Sequence, residues 1–298
     1  MTQGRIRPTR RRFIGYLVAA PTLSVAVKLG LDGALAPAGA AVATSAAPAD
    51  ILDLEDAQSL AAEPTENLIT LELKDDGTVH FALPRMEVGQ GIVTSTAMII
   101  AEELDVPVDD VVVTLADARP ELVMNQLTGG SNTTVSTYAP IRTAAAIARG
   151  RLLEAAADRL DVSVEALSTL EGSVLGPNGV KVSYGDLAAA ASVAETVQAQ
   201  ASLKDRADFT VIGQPHSRTD ARDAVTGKKQ YTMDLDVPNA LPTMVCRPPT
   251  LNGTVKSVNN KADVLAMPGV THVATIPTGV AVRAATFGQC IDAVRALN

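Results

Sequence analysis

The spacing of apolar and polar positions changes several times along the 298-residue chain. LITLELKDDGTVHFALP alternates on either side of Asp75-Asp76-Gly77, which predicts a hairpin with a tight turn. From about Thr94 to Leu104 the spacing becomes helical, with Met98, Ile99 and Ala101 on the apolar side and Pro107 as the stop. DVVVTLAD, Asp110 to Asp117, is a nearly continuous apolar run, the pattern of a strand buried in a mixed sheet. Asn125 to Thr137 is polar and glycine-rich and predicts a loop. Pro140 suits a first helical turn, and the chain to Leu160 is strongly helical, with Ile141, Ala145, Ala148, Leu152, Leu153 and Ala156 as its stripe. Gly150 inside that helix costs roughly 1 kcal/mol against Ala, which points to close packing there.

Further on, SVEALSTLEGSVLGPNGVKVSYGDLAAAA predicts a short helix, a hairpin turning at Pro177-Asn178-Gly179 and a helix from near Ser183. Residues 192–206 read as a polar connector. From Asp208 short strands dominate: FTVIG, KKQYTMDL, PTMVCRP, TVKSV, THVATI and GVAVRAA, with helices near Ala262–Ala266 and Gln289–Leu297. The texture predicts an α+β class with a boundary near 206, giving one domain over 67–206 and a second over 207–298. The last residues, QCIDAVRALN, lie within a helical pattern without a polar tail, so a truncated sequence is expected.

Residues 1–40 follow another logic. TRRRFIGYLVAAPTLSVAVKLGLDGALAPAGAA has a basic start, an apolar middle and a small-residue end, the layout of an export signal. The apolar run from Phe13 to Val27 is short for a span of ~20 residues. Thr9 to Ile14 resembles a twin-arginine signal, with Arg10 and Arg11 as the pair. Periplasmic localisation through the twin-arginine machinery is the expectation, with cleavage near Ala36 or Ala40; an uncleaved basic membrane anchor is the alternative. Residues 41–66 read as an Ala-rich linker.

Charge sharpens this division. Residues 1–40 carry Arg5, Arg7, Arg10, Arg11, Arg12 and Lys28 against Asp32, a surplus of five positive charges, so the rest of the chain holds −13 of the total −8. An acidic body disfavours nucleic acid as a partner, and 3% aromatic content without Trp disfavours stacking platforms. His80, His216, His272, Cys246 and Cys290 are scattered and show no metal-ligand spacing, so structural roles are expected for them and no protein-bound metal.

Two glycine loops remain. Gly89-Gln90-Gly91 runs into the first helix, and Gly129-Gly130 precedes the second. Glycine lets backbone N–H groups face a ligand, and a helix N-terminus adds free donors and partial positive charge, which suits phosphate. Gln90 supplies an amide, and Ser131, Asn132, Thr133 and Thr134 supply neutral donors. Neither loop contains Lys, and neither the P-loop nor the dinucleotide pattern is present. Structural turns are the competing explanation. Glu102 and Glu103 read as a solvated helix face, and Arg85 and Arg142 as exposed ion-pair partners.

RMEVGQGIVTSTAMIIAEELDVPVDDVVVTLADA, followed by NQLTGGSNTTVSTYAPIRTAAAIARGRLLEAAA, resembles the molybdopterin-binding large subunit of the xanthine dehydrogenase and aldehyde oxidase family, of the isoquinoline oxidoreductase beta subunit type. GKKQYTMDLDVPNALPTMVCRPP, GTVKSVNNKADVLAMPGV and PTGVAVRAATFGQCIDAVRAL resemble its α/β hammerhead region. The resemblance implies a partial molybdenum-cofactor domain followed by a hammerhead-like domain. It implies a molybdenum–molybdopterin cofactor, either as the plain pterin or as its cytosine dinucleotide. Gly89, Gln90, Gly91, Thr128, Gly129, Gly130 and Ser131 match the family's cofactor loops. The implied reaction hydroxylates an N-heteroaromatic or aldehyde carbon with oxygen from water, using a glutamate base. Electrons pass to an iron–sulfur small subunit; the missing C-terminal half or a c-type cytochrome subunit is a further expected partner.

No segment here matches the base-glutamate motif, so the catalytic residue is unknown and catalysis by this chain is left undecided. Two readings follow: an N-terminal part of a molybdenum hydroxylase subunit, inactive alone, or a non-catalytic periplasmic binding or assembly module derived from that family.

Overall fold

Gly77 adopts φ 86° and closes the turn predicted at Asp75–Gly77, while Asp76 Oδ1 accepts from the Thr78 N–H at 2.8 Å. The strands it joins, β3 (Ile69–Leu73) and β4 (Val79–Leu83), pair antiparallel with Leu71 opposite Phe81. Leu71, Leu73, Val79, Phe81 and Leu83 are all buried, so one face of the hairpin is committed to the core. The computed structural model describes residues 13–18, 20–29, 69–118, 126–250 and 253–298. The linker expected at 41–66 lies outside them.

After β4 the chain forms helix α1 (Ile92–Leu104) and returns as β5 (Val111–Leu115), parallel to β4 with Leu83 opposite Leu115. Parallel neighbours require such a crossover. β5 is an edge strand with Leu115 48% exposed, so the buried strand expected there is corrected. Among the described residues its one strand partner is β4, and Val112 is exposed as well.

Residues expected as the apolar part of an export signal form a hairpin. β1 (Phe13–Val18) and β2 (Ser24–Leu29) pair antiparallel, and β2 continues onto β3. Pro21-Thr22 interrupts the apolar run, leaving two six-residue segments of strand length. Leu17, Leu23, Val25 and Ala26 are buried. β9 (Val197–Ala199) pairs with β1, giving one sheet in the order β5-β4-β3-β2-β1-β9.

Helix α2 (Asn132–Leu160) packs against β1, β2, β3 and α1. It begins eight residues before Pro140, not at it, which shortens the predicted loop. Pro140 lies buried inside the helix, where it removes one backbone hydrogen bond. Ile141, Ala144, Ala145, Ala148, Leu152 and Ala156 are fully buried, and this apolar face offsets the loss. Small alanines let the helix lie close to the sheet. Beyond its chain neighbours and the helix's own backbone, no atom lies within 4 Å of where a Gly150 Cβ would stand, so close packing is not the reason for that glycine.

A three-stranded sheet follows, β6 (Ser168–Leu170), β7 (Ser173–Leu175) and β8 (Lys181–Ser183), turning at Pro177–Gly179 as predicted. Ser183 caps α3 (Tyr184–Ala191) by accepting from the Asp186 N–H. Tyr184 is buried and donates its hydroxyl to Leu104 O at 2.6 Å.

Glu102 and Glu103, expected on a solvated face, are fully buried. Glu102 Oε2 accepts the N–H groups of Thr210 (2.9 Å), Val211 (2.7 Å) and Ile212 (2.9 Å), and Lys204 Nζ approaches Oε1 at 3.3 Å. Glu103 binds Arg142 Nε at 2.6 Å and the Lys204 N–H at 3.2 Å. Arg142, expected to be exposed, is nearly buried and stacks over Phe209, 4.9 Å from the ring centre. These two carboxylates tie residues 204–212 to the helices. The first unit therefore runs to Tyr231, and the boundary expected at 206 lies between Tyr231 and Thr232. FTVIG and KKQYTMDL form no strands, because their backbone groups serve these side chains and turns.

The unit from Thr232 holds β10 (Thr243–Cys246), β11 (Val270–Ile276) and β12 (Gly279–Ala284) in the order β10-β12-β11, all antiparallel. Helix α4 (Ala221–Val225) belongs to the first unit; in the second, α5 (Lys261–Leu265) precedes β11 and α6 (Phe287–Ala296) follows β12. Thr286 and Gln289 form a reciprocal capping box on α6. Val264, Val273, Val280, Val282 and Ala293 make its core. TVKSV forms no strand. Among the described residues no helix is long and apolar enough to cross a membrane.

Burial alone would raise the pKa of Glu102, but its three backbone donors and Lys204 hold it below the usual 4.5. Its stabilisation is complete above the unfolded value and is lost as pH falls through the lower folded one. Glu102→Gln is expected to destabilise the chain by roughly 2 kcal/mol at neutral pH and to flatten the acid limb of a melting-temperature profile. Parallel profiles for both proteins would refute the assignment.

Candidate functional site

β4 and β5 point their carboxyl ends the same way, so the segments that follow them emerge side by side. One is residues 84–91, leading to α1; the other ends at Ser131, leading to α2. Ligands of α/β sheets bind outside such carboxyl ends. The segments are stitched together: the Met86 N–H donates to Thr128 Oγ1 at 2.9 Å, and Arg85 donates to Leu127 O and, at 2.7 Å, to Ser136 Oγ. Arg85 is buried rather than exposed, and burial pushes its guanidinium pKa down to about 10. It remains a cation at neutral pH.

The first loop is filled from within. The Glu87 carboxylate, almost completely buried, accepts from the N–H groups of Gly89 (2.9 Å) and Gly91 (3.0 Å) through Oε1 and of Val93 (3.2 Å) through Oε2. Gln90 is also engaged, donating to Met86 O at 2.8 Å and accepting from the Val88 N–H at 2.7 Å. Gly89 (φ 104°) and Gly91 (φ 82°) are therefore needed for the bend itself. The expectation that their amides face a ligand is corrected, because the donors already have an anion. Arg218 backs this arrangement, donating to Gly89 O at 2.6 Å with its guanidinium 3.7 Å from Glu87. Asp220 fixes Arg218 through two bonds, and Arg218 with Lys229 holds that carboxyl well below its usual range.

The second loop is open. Gly130 and Ser131 both adopt φ 59°, and Ser131, the N-cap of α2, makes no side-chain cap. Asn132 is occupied by Leu127 O and Gly129. The N–H groups of Thr133 and Thr134 lie in the first turn, where no intrahelical acceptor is available. They border a cavity of about 370 Å³ between the loops, lined by Val88, Gln90, Ile92 and Ser95 on one side and Thr128, Gly129, Ser131 and Thr134 on the other. Of the seven predicted residues, Gln90, Thr128, Gly129 and Ser131 line it, while Gly89, Gly91 and Gly130 shape the bends. Reasoning from sequence missed Arg85 and Glu87, although a carboxylate just ahead of a helix start is a recognisable capping signal. It also missed Arg218, which is distant in the chain.

Neutral hydroxyls, an amide and an uncapped helix N-terminus around one cavity define a binding domain for an anionic or phosphorylated cofactor. Likeness to known proteins makes this specific. Residues 38–234 match the molybdopterin cofactor-binding domain, and the chain belongs to that family. The beta chain of isoquinoline 1-oxidoreductase from Brevundimonas diminuta is 31% identical over 93% of this chain and 40% of its own length. A nicotinate dehydrogenase subunit from Pseudomonas putida is 33% identical over 78% of this chain and 20% of its own. The chain thus spans less than half the length of these relatives. Quinoline 2-oxidoreductase from Pseudomonas putida 86 is similar over 44% of this chain and 18% of its own, with 21% identity and a TM-score of 0.35, a likeness too weak to define the fold.

Glu87→Ala is expected to take the acceptor from the amides of Gly89, Gly91 and Val93, at roughly 1 kcal/mol of stability because these half-exposed donors regain water, and to speed hydrogen exchange there. Unchanged exchange at those amides would contradict the loop geometry.

Proposed function

We propose that this chain carries part of the cofactor cradle of a molybdenum hydroxylase large subunit, which oxidises an N-heteroaromatic or aldehyde carbon. The observation that carries this reading is the uncapped N-terminus of α2 facing the cavity. Residues there suit the cofactor: N–H donors of Thr133 and Thr134, hydroxyls of Ser131 and Thr134, and the small Gly129 take a phosphate without a cation. A cytosine dinucleotide form fits the same donors. When bound, the molybdenum centre would supply the chemistry, in which water provides the oxygen, the substrate gives up two electrons, and two protons are released, one from the substrate carbon and one from that water. This chain's residues would orient the group, while Glu87 and Arg218 keep the first loop rigid. The base glutamate implied by the resemblance has no counterpart here, so the remainder of the large subunit completes the active site.

Two relatives are named as subunits, which supports an iron–sulfur partner as electron acceptor, with a c-type cytochrome beyond it. The unit from Thr232 is read as hammerhead-like, on the phrases that resemble that region and its three-stranded sheet flanked by helices. Arg10 and Arg11 are read as an address for twin-arginine export to the periplasm.

Molybdenum and pterin analysis of the complex purified with its iron–sulfur partner tests the reading. Both are expected in the wild type. Gly130→Val should lower occupancy about tenfold, since a β-branched residue in the left-handed region costs ~1–2 kcal/mol. Gln90→Ala should lower it less. Absence of both molybdenum and pterin from the wild type, or equal occupancy in all three proteins, would end the proposal.

A further inference from the structure

We infer that the hairpin formed by residues 13–18 and 20–29 is a permanent part of the folded cofactor domain, so the apolar half of the leader is kept rather than removed. The hairpin sits inside the sheet: β2 pairs with β3 over Ser24–Val27, and β1 pairs with β9 over Gly15–Leu17. Its turn is fastened as well, with the Leu73 N–H donating to Leu23 O at 3.0 Å and Thr22 Oγ1 to Glu72 at 3.1 Å. Leu17, Leu23 and Val25 belong to the same apolar core as Leu71, Ile141 and Ala145.

Removing the hairpin would strip two neighbouring strands from a six-stranded sheet. β3 would present an open edge, β9 would lose its partner, and buried leucines would meet water. The loss would reach the site, because α2 packs on β1 and β2 and presents its N-terminus to the cavity. The same apolar residues cannot lie in a membrane as a signal core and in this sheet at once. Withdrawal of the leader and assembly of the cradle are therefore alternative states, and the folded protein holds the second. The inference stands whether or not the site takes molybdopterin, since it rests on strand pairing and burial.

The test is intact-mass and N-terminal analysis of the full chain, tagged at its C-terminus and purified folded from cells with an active twin-arginine system. Peptides covering 13–29 are expected, on the chain or held as a co-purifying fragment, and protected from protease. A folded protein that begins beyond residue 40 without that fragment would overturn the inference. Val25→Ala gives a second measure, independent of processing. It should lower the melting temperature by about 5 °C, while Val225→Ala, at a position 84% exposed, should not. Equal melting of Val25→Ala and wild type would also overturn it.

Discussion

The parallel pairing of β4 with β5 is the constraint from which the candidate site follows. Every other adjacency in the six-stranded sheet is antiparallel. Antiparallel neighbours send consecutive connections to opposite ends of a sheet. One parallel step sends two connections to the same end, and here both carry glycine and both lead into helices. The cavity is thus a consequence of topology before it is one of side chains. Arg85 and Thr128 then fix the two segments against each other.

Within that frame the two loops have become unlike. Both helices start from a left-handed residue without a side-chain cap, Gly91 for α1 and Ser131 for α2. Glu87 supplies the missing acceptors to α1 and its bend, and no acidic side chain among the described residues does so for α2. Opposite treatment of two similar helix starts is a chemical instruction. A carboxylate in the first loop makes it rigid and closed to a second anion by repulsion. The open start of α2 is where an external negative charge gains most.

Much of this is legible in the sequence, and the failures have physical causes. The hairpin at Asp75–Gly77, the helix ending near Leu104 and the long helix to Leu160 follow from spacing and turn chemistry alone. Both loops are visible as glycine pairs before helices, and four of the seven residues predicted in them line the cavity. What local pattern does not supply is the identity of each loop's partner. Glu102 and Glu103 look solvated because charged residues on a helix usually are. Their burial depends on the 204–212 segment, about a hundred residues away, laying its N–H groups over them. The same capture moves the unit boundary past the place where the texture changes. Pro140 reads as a helix start because the cost of an internal proline is local, whereas the burial that outweighs it is not.

The N-terminal segment poses this problem most sharply. A basic start followed by an apolar run describes a signal, yet two six-residue strands joined at Pro21-Thr22 fit the same letters. Hydropathy cannot separate them, because a membrane and a protein core reward the same side chains. Pairing separates them: β3 has a free edge unless β2 fills it, and among the described residues β9 has no neighbour but β1. Strand partners are a long-range property, absent from any window of sequence. The segment's place beneath α2 then links the start of the chain to the helix N-terminus that faces the cavity, so the geometry of the cradle depends on residues that composition alone would assign to transport.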